Sequence, residues 1–250
     1  MSLSYHLNAK DSNMRVFKTM LFCLMFCVAS LAFANGKLTH MSGAVSVKKA
    51  NGETISAAPN MLVGEGDVLI TGTNGYVRLE TTDGGNMVFR PNSEFRIEKY
   101  HYDVAKPEQD SFIYSLIKGG LRTVTGLVGK RGNKDAYLGK TSTSTIGIRG
   151  TFFEVRVCAD DCGVLPNGTY FSLRSGSILV GNLKDNITIN TGQVAFVPLD
   201  GAAEILPRDP GVGFTAPSDI PKQSEHQAAK SSTAEMASDS AQDGASCVIR

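Results

Sequence analysis

The sequence predicts an all-β domain of short, glycine-punctuated strands in a β-roll or β-sandwich-like arrangement. Three observations carry that expectation. Apolar and polar residues alternate with a period of two in one run after another, as a strand with one buried face requires. Nearly every run is bounded by Gly, Asn, Asp or Pro, the residues that supply turn geometry. The 250 residues include 26 glycines and no tryptophan, a composition better suited to punctuated strands than to helices.

Taken in order, the first alternation is Gly43-Ala-Val-Ser-Val-Lys-Lys, with Val45 and Val47 on one face, and Asn51-Gly52 follows as a two-residue hairpin signal. Met61-Leu62-Val63 leads through Gly64-Glu-Gly-Asp67 into a strand at Val68–Thr71. Turns at Gly72–Gly75, Asp83–Gly85 and Pro91–Ser93 separate strands at Tyr76–Thr81, Asn86–Arg90 and Glu94–Tyr100. The apolar face of the last is Phe95, Ile97 and the stem of Lys99. Val104–Gln109 reads as a loop. Ser111–Ile117 fits either a strand or a helical turn, and Lys118–Gly126 resumes as a strand. A glycine-rich loop, Leu127–Ala136, precedes Tyr137–Lys140 and the hydroxyl run Thr141–Thr145. The next segment turns around Gly147 and Gly150, then sets Phe153, Val155 and Val157 against Glu154 and Arg156. Glycine inside such a run marks a bulge, a bend or a close backbone approach. After the loop Cys158–Gly168 come strands at Thr169–Ser175, Gly176–Gly181, Asn186–Asn190 and Gly192–Val197. Glycine-led strands at Gly43 and Gly66 echo those at Gly176 and Gly192. Stacked β-turn units would produce that echo, and so would convergence on one hairpin chemistry.

Both ends differ from this core. Met14-Arg-Val-Phe-Lys, the apolar run Met20–Leu31 and Ala32-Phe33-Ala34 have the form of a secretory signal peptide cleaved after Ala34. The apolar run is shorter than a membrane span, so no stable span is expected after cleavage. Translation starts at Met1 or Met14. Residues 207–250 are rich in Ser, Ala, Gln, Asp and Lys and are expected as a disordered tail. The expected organisation is therefore 1–34 extension and signal peptide, 35–206 folded domain, 207–250 tail. A net charge of +1 offers no global field for nucleic acid or membrane.

Several of these runs, in this order and spacing, resemble the FecR domain family. They are Gly43-x-Val-x-Val, Gly66-Asp67 with Ile70-Thr71, Gly75-x-Val-x-Leu and Pro91-x-Ser-x-Phe-x-Ile. Lys118-Gly-Gly-Leu-Arg and Thr145-Ile-Gly-Ile-Arg-Gly-Thr151 extend the likeness to secreted FecR-domain proteins. It covers residues 35–157, and more loosely residues up to 198. The resemblance implies an all-β extracytoplasmic domain, periplasmic or secreted. The best-known members relay the occupancy of an outer-membrane siderophore receptor to a sigma factor across the inner membrane. Here only Met1–Asn13 and part of the signal-like segment precede the apolar run, so the expectation carried over is the fold and an extracytoplasmic binding role.

Chemistry is sparse. Of His6, His40, His101 and His226, His101 alone falls well inside the domain, too little for a Ser/His/Asp set or a histidine metal site. Ser93 and Ser175 lack a nucleophile context, and Asp67 reads as a cap on local amides. Asp160-Asp161 fits a soluble loop tip better than a two-ligand cation site. No catalytic set, metal or cofactor is expected. Cys158 and Cys162 form a disulfide candidate favoured by an oxidising compartment, with the short loop between them counting against it. Cys247 is then unpaired within the chain, open to an intermolecular bridge. Lys118, Arg122, Lys130, Arg131, Lys134 and Lys140 are opposed over that interval by Asp135 alone. Lys130, Arg131 and Lys134 are accordingly the candidate contacts for an envelope protein or an anionic glycan, the plain alternative being a solvated charged loop. No aromatics interleave with them, which argues against nucleic acid. Arg149, between the two glycines, either braces carbonyls freed by the bend or faces a partner. The expected function is a secreted, non-enzymatic binding or signalling-accessory module. A surface-assembly protein of stacked β units is the alternative, and a glycan-acting enzyme would need two carboxylates about 5–10 Å apart in a cleft.

Overall fold

The computed structural model describes residues 35–218, 220 and 221. The signal-like segment, Cys247 and residues 222–250 lie outside the described residues. In chain order the strands are β1 Gly36–Ser42, β2 Val45–Lys48, β3 Thr54–Ser56, β4 Leu62–Val63, β5 Val68–Thr71, β6 Tyr76–Thr81, β7 Asn86–Phe89 and β8 Glu94–His101. A single 3-10 turn at Pro107–Gln109 follows, then β9 Ser111–Val124, β10 Tyr137–Lys140, β11 Thr145–Cys158, β12 Gly168–Gly181, β13 Asn186–Asn190, β14 Val194–Pro198 and β15 Glu204–Leu206. All fifteen join one hydrogen-bonded sheet, so the all-β expectation holds.

Three 14-residue strands fold that sheet on itself. β9, β11 and β12 each contain a glycine at positive φ, Gly119 (78°), Gly150 (63°) and Gly176 (84°), a conformation that side chains other than hydrogen resist. Partners change at each bend. The first part of β9 pairs with β8 and, in parallel, with β10, and its second part pairs with β7 and β11. β11 passes from β10 to β9, while β12 passes from β14 to β13. The result is a first layer ordered β15-β14-β12-β11-β9-β7-β6-β1-β4. A second layer is ordered β13-β12-β11-β10-β9-β8-β5-β2-β3. Two bends abut, because a Cβ on Gly176 would lie 2.8 Å from the Gly150 carbonyl oxygen.

One apolar core fills the space between the layers. Leu79, Phe89, Leu121, Phe153 and Phe171 of the first layer join Val47, Phe95, Tyr114, Ile148 and Val180 of the second in one cluster. The Phe89 and Phe95 rings, one from each layer, lie 4.8 Å apart. Strand alternation places these residues inward, and burying each side chain stabilises the fold by roughly 2 kcal/mol.

The structure departs from the sequence expectation at identifiable points. Ser111–Ile117 and Lys118–Gly126 are one strand through Val124, and Thr169–Ser175 and Gly176–Gly181 are likewise one, because a positive-φ glycine bends a strand without ending it. β1 and β15 were not anticipated. In β8 the register slips between Ile97 and Lys99, so Tyr100 takes the inward place expected for the Lys99 stem. The Asn51-Gly52 turn widens to a loop closed by Lys49 N–H donating to Glu53 O (2.7 Å), with Lys49 Nζ and Ala50 N–H both held by Asp67. Gly43, Gly66, Gly176 and Gly192 all have positive φ, yet β2 pairs β5 directly whereas the segment after Gly176 pairs β13. Their echo is shared turn chemistry. Of the residues expected as tail from 207 onward, the described ones as far as 218, with 220 and 221, include the buried Val212 and Ile220, and residues 212–214 pack on the outer surface of the first layer.

Candidate functional site

The loop 127–136 is pinned at both ends before it presents any charge. Asp83 receives Leu127 N–H on its main-chain oxygen and Val128 N–H on Oδ2 (3.0 Å), while its Oδ1 accepts from Thr81 Oγ1 and the Tyr100 hydroxyl. Ala136 O accepts from Phe112 N–H at the far end. Between them, Gly132 has φ 65° and presses on the 3-10 turn, where a Cβ would meet Pro107 O at 2.0 Å. The chain can take this path only with glycine at that position.

Arg131 clamps the middle. Its Nε donates to Asp110 Oδ2 (3.1 Å), Nη2 to Asp103 O (2.8 Å) and Nη1 to Val104 O (3.2 Å), and the guanidinium lies 4.8 Å from the Tyr102 ring centre. The Asp110 carboxylate is fully buried. Arg131, expected with Lys130 and Lys134 as a partner contact, thus serves as an internal brace and also lines the cleft that holds both lysines. Planar guanidinium donors suit one carboxylate and two carbonyls in a way an ammonium does not.

Lys130 and Lys134 on the same loop are exposed, and so is Arg149, one residue before the Gly150 bend. The three line one shallow cleft of about 450 Å3 with Val128, Ile148 and Gly150. A Cβ on Gly150 would sit 3.3 Å from Lys130 Cγ, which shows how closely the lysine stem follows the bend. No ion pair engages any of the three among the described residues. Arg149 is exposed and makes no hydrogen bond to a carbonyl among the described residues, and sequence reasoning had no means to join it to Lys130. Three cations converging on a concave surface raise local anion concentration more than the same charges spread over a loop.

The remaining basic residues go elsewhere. Lys118 and Lys140 are exposed outside this cleft. Arg122 bonds Glu154, which is buried, and Phe214 O. Asp135 lines a different groove, beside the hydroxyl run and exposed Leu179, Leu183 and Leu199. The Cys158–Cys162 disulfide is present, with a Cα–Cα separation of 5.5 Å. It closes a loop in which Asp160 Oδ1 accepts from Asn167 Nδ2 and Asp161 Oδ1 accepts from Ala159 N–H. Asp67 is the cap expected of it, accepting from Gly64 N–H, Ala50 N–H and Lys49. Ser93 Oγ accepts from Gly120 N–H and has the carbonyls of Arg90 and Gly120 as its own acceptors. Burial pushes the phenols of Tyr100, Tyr114 and Tyr137 up from the ordinary tyrosine value, which leaves them protonated inside the core.

Sequence reasoning missed a second polar cluster on the outer face of the first layer, made of Arg90, Arg122, Glu154, Arg174 and Phe214. Glu154 reads as a solvent-side residue by alternation. The sole signal of a cover was the presence of Val212, Phe214 and Ile220 in an otherwise polar segment.

No protein-family model matches the chain, and no curated protein matches it. Among solved structures, two crystal structures of a candidate anti-sigma factor from Parabacteroides distasonis ATCC 8503 are similar, at TM-scores of 0.44 and 0.43 and identities of 13% and 10%. Each similarity covers 56% of this chain and 58% of that one, so the match spans little more than half the length of either.

Proposed function

We propose that this protein is a secreted or periplasmic, non-enzymatic binding module of the bacterial envelope, FecR-like in type, that acts as a signalling accessory by docking an acidic protein patch on the Lys130–Lys134–Arg149 cleft. One observation carries the reading. Two separate chain segments deliver three cations, none in an ion pair among the described residues, to one cleft, and Arg131 fixes the loop that holds two of them. Preorganised charge favours steering and register over raw affinity. An acidic protein surface fits better than a glycan, because no aromatic ring lines the cleft to stack a sugar. The compartment and the accessory role follow from the signal-like segment and the FecR resemblance.

Charge reversal tests it. The full-length chain and a Lys130→Glu/Lys134→Glu variant are used to capture partners from an envelope extract, and association is then timed with the recovered partner. The variant should associate roughly 10-fold more slowly at low salt, with the difference shrinking as ionic strength rises. A specific partner captured equally by both chains, with the same salt dependence, removes the cleft from the reading.

A further inference from the structure

The outer face of the first layer is an arginine field with a strap across it. Cross-strand pairing sets Arg122 of β9 beside Glu154 of β11, and Arg156 of β11 beside Gly120 of β9, which in turn neighbours Arg90. Arg174 of β12 completes the group. Two guanidiniums, those of Arg122 and Arg174, thus face one buried carboxylate, with Arg90 and Arg156 in the neighbouring row. Arg122 bonds Glu154 Oε1, and Arg174 Nη2 lies 3.6 Å from Oε2. Burial and, after it, the charge of Arg156 lower the pKa of Arg90. Arg90 Nη1 is buried and has no hydrogen-bond acceptor among the described residues.

The strap comprises residues 212–218 together with Ile220 and Pro221. Val212 inserts among Cys158, Tyr170, Val194 and Phe196. Gly213 passes so close to Glu154 that a Cβ there would lie 2.5 Å from Oε2. The Phe214 ring lies 5.0 Å from the Arg122 guanidinium and 5.8 Å from that of Arg90, and its carbonyl accepts from Arg122 Nη2. The seating combines an aromatic anchor, a glycine at the close approach and recognition of a main-chain carbonyl, as a bound peptide does. Residues 212–216, Val-Gly-Phe-Thr-Ala, bring no carboxylate to the arginines. Between them and the sheet a cleft of about 540 Å3 remains, lined by Val88, Arg122, Phe152 and Arg174 on the sheet side and by strap residues including Phe214, Ile220 and Pro221 on the other.

We propose that this arginine face is a docking groove for an extended, acidic, aromatic-containing peptide segment of a partner protein, and that residues 212–221 hold the groove as an intramolecular placeholder. Charge complementarity selects the occupant. Carboxylates directly following an aromatic anchor would offer Arg90 and Arg174 planar bidentate partners. The strap competes at a high effective concentration because it is tethered. An incoming segment binds in proportion to the fraction of molecules whose strap has lifted. The groove is distinct from the Lys130 cleft and stands whether or not that cleft binds anything.

The test uses the full chain and two fluorescent peptides copying Pro210–Pro217. One has Glu in place of Thr215 and Ala216, and its control has Gln at both places. Fluorescence anisotropy is measured with wild type, Phe214→Ala and Arg174→Ala. Phe214 belongs to the strap and not to the groove, so Phe214→Ala should raise affinity for the acidic peptide at least 10-fold, the reverse of what a merely structural role predicts. The Gln peptide should bind at least 5-fold more weakly than the acidic one, and Arg174→Ala should narrow that gap. Should Phe214→Ala fail to fold, hydrogen exchange of the wild type decides, since the acidic peptide must accelerate exchange at residues 212–214. Equal binding by wild type and Phe214→Ala, equal binding of the two peptides, no binding, or unaltered exchange each overturns the proposal. Concentration-dependent dimers of Phe214→Ala in sedimentation overturn it too, by assigning the groove to a second copy of this chain.

Discussion

On the outer side of the first layer, the cross-strand row Arg78–Val88–Arg122–Glu154–Ser172 is buried or nearly so. The corresponding row of the second layer, Lys99–Ile113–Leu138–Gly147–Leu179–Thr188, ends in solvent at both sides, with Leu179 51% exposed. Both rows occupy the polar phase of their strands. What separates them is the segment around Gly213 and Phe214, which lies against Glu154 and Arg122 of the first row. The environment of an outward side chain is thus set by what passes over the sheet, and strand parity fixes only which side it leaves from. Glu154 and Arg122 tolerate the covered face because they meet there, Arg122 Nε donating to Glu154 Oε1.

The contrast breaks most sharply at Glu154. Glu154→Ala should cost about 3 kcal/mol in urea unfolding, because Arg122 then loses its carboxylate on a face the strap has dehydrated. Glu154→Gln should recover part of that loss by keeping one acceptor. A cost below about 1 kcal/mol for Glu154→Ala, the range of exposed ion pairs, would show that water reaches this face as freely as the other.

Arg131 sharpens the same comparison within one loop. It lies next in sequence to Lys130, yet its side chain is 20% exposed and joined to a buried carboxylate, whereas Lys130 faces solvent. Arg131→Ala should cost about 2 kcal/mol, since Asp110 keeps only the Asp103 N–H as partner. The same change should speed hydrogen exchange through residues 127–136, and Arg131→Lys should rescue little of it, because an ammonium cannot reach all three acceptors at once. Full rescue by lysine would mean that the clamp is simple charge pairing.

How much of this was legible follows from where each partner lies. Phe153, Val155 and Val157 announce their inward side because the signal is periodic and local. The bends at Gly119, Gly150 and Gly176 were visible as glycines, but a bend and a strand end look alike until the chain on either side finds partners. β1 escaped notice because a bulge between Leu38 and His40 breaks its alternation. The fate of Arg131 was hidden because its acceptors, Asp103, Val104 and Asp110, sit more than twenty residues upstream in a loop with no period. For Glu154 the cover lies nearly sixty residues downstream, in a segment whose prolines, glycines and polar residues read as tail. Arg149 and Lys130 come together only because β11 bends beside the loop, which is tertiary information.

The smallest effect lies away from the covered face and checks the comparison from the other side. Lys184 and Asp200 approach to 3.7 Å on the rim of the groove beside Leu179 and Leu183, with side chains 60% and 90% exposed. In high dielectric their attraction is offset by the entropy of holding two side chains together. Lys184→Ala should therefore change stability by less than about 0.5 kcal/mol, with no dependence on salt between about 0.05 and 0.5 M. Equilibrium unfolding at both salt concentrations measures it. A loss approaching that of Arg131→Ala would place a cover over this rim, and the difference between the two faces would then lie in how each is covered.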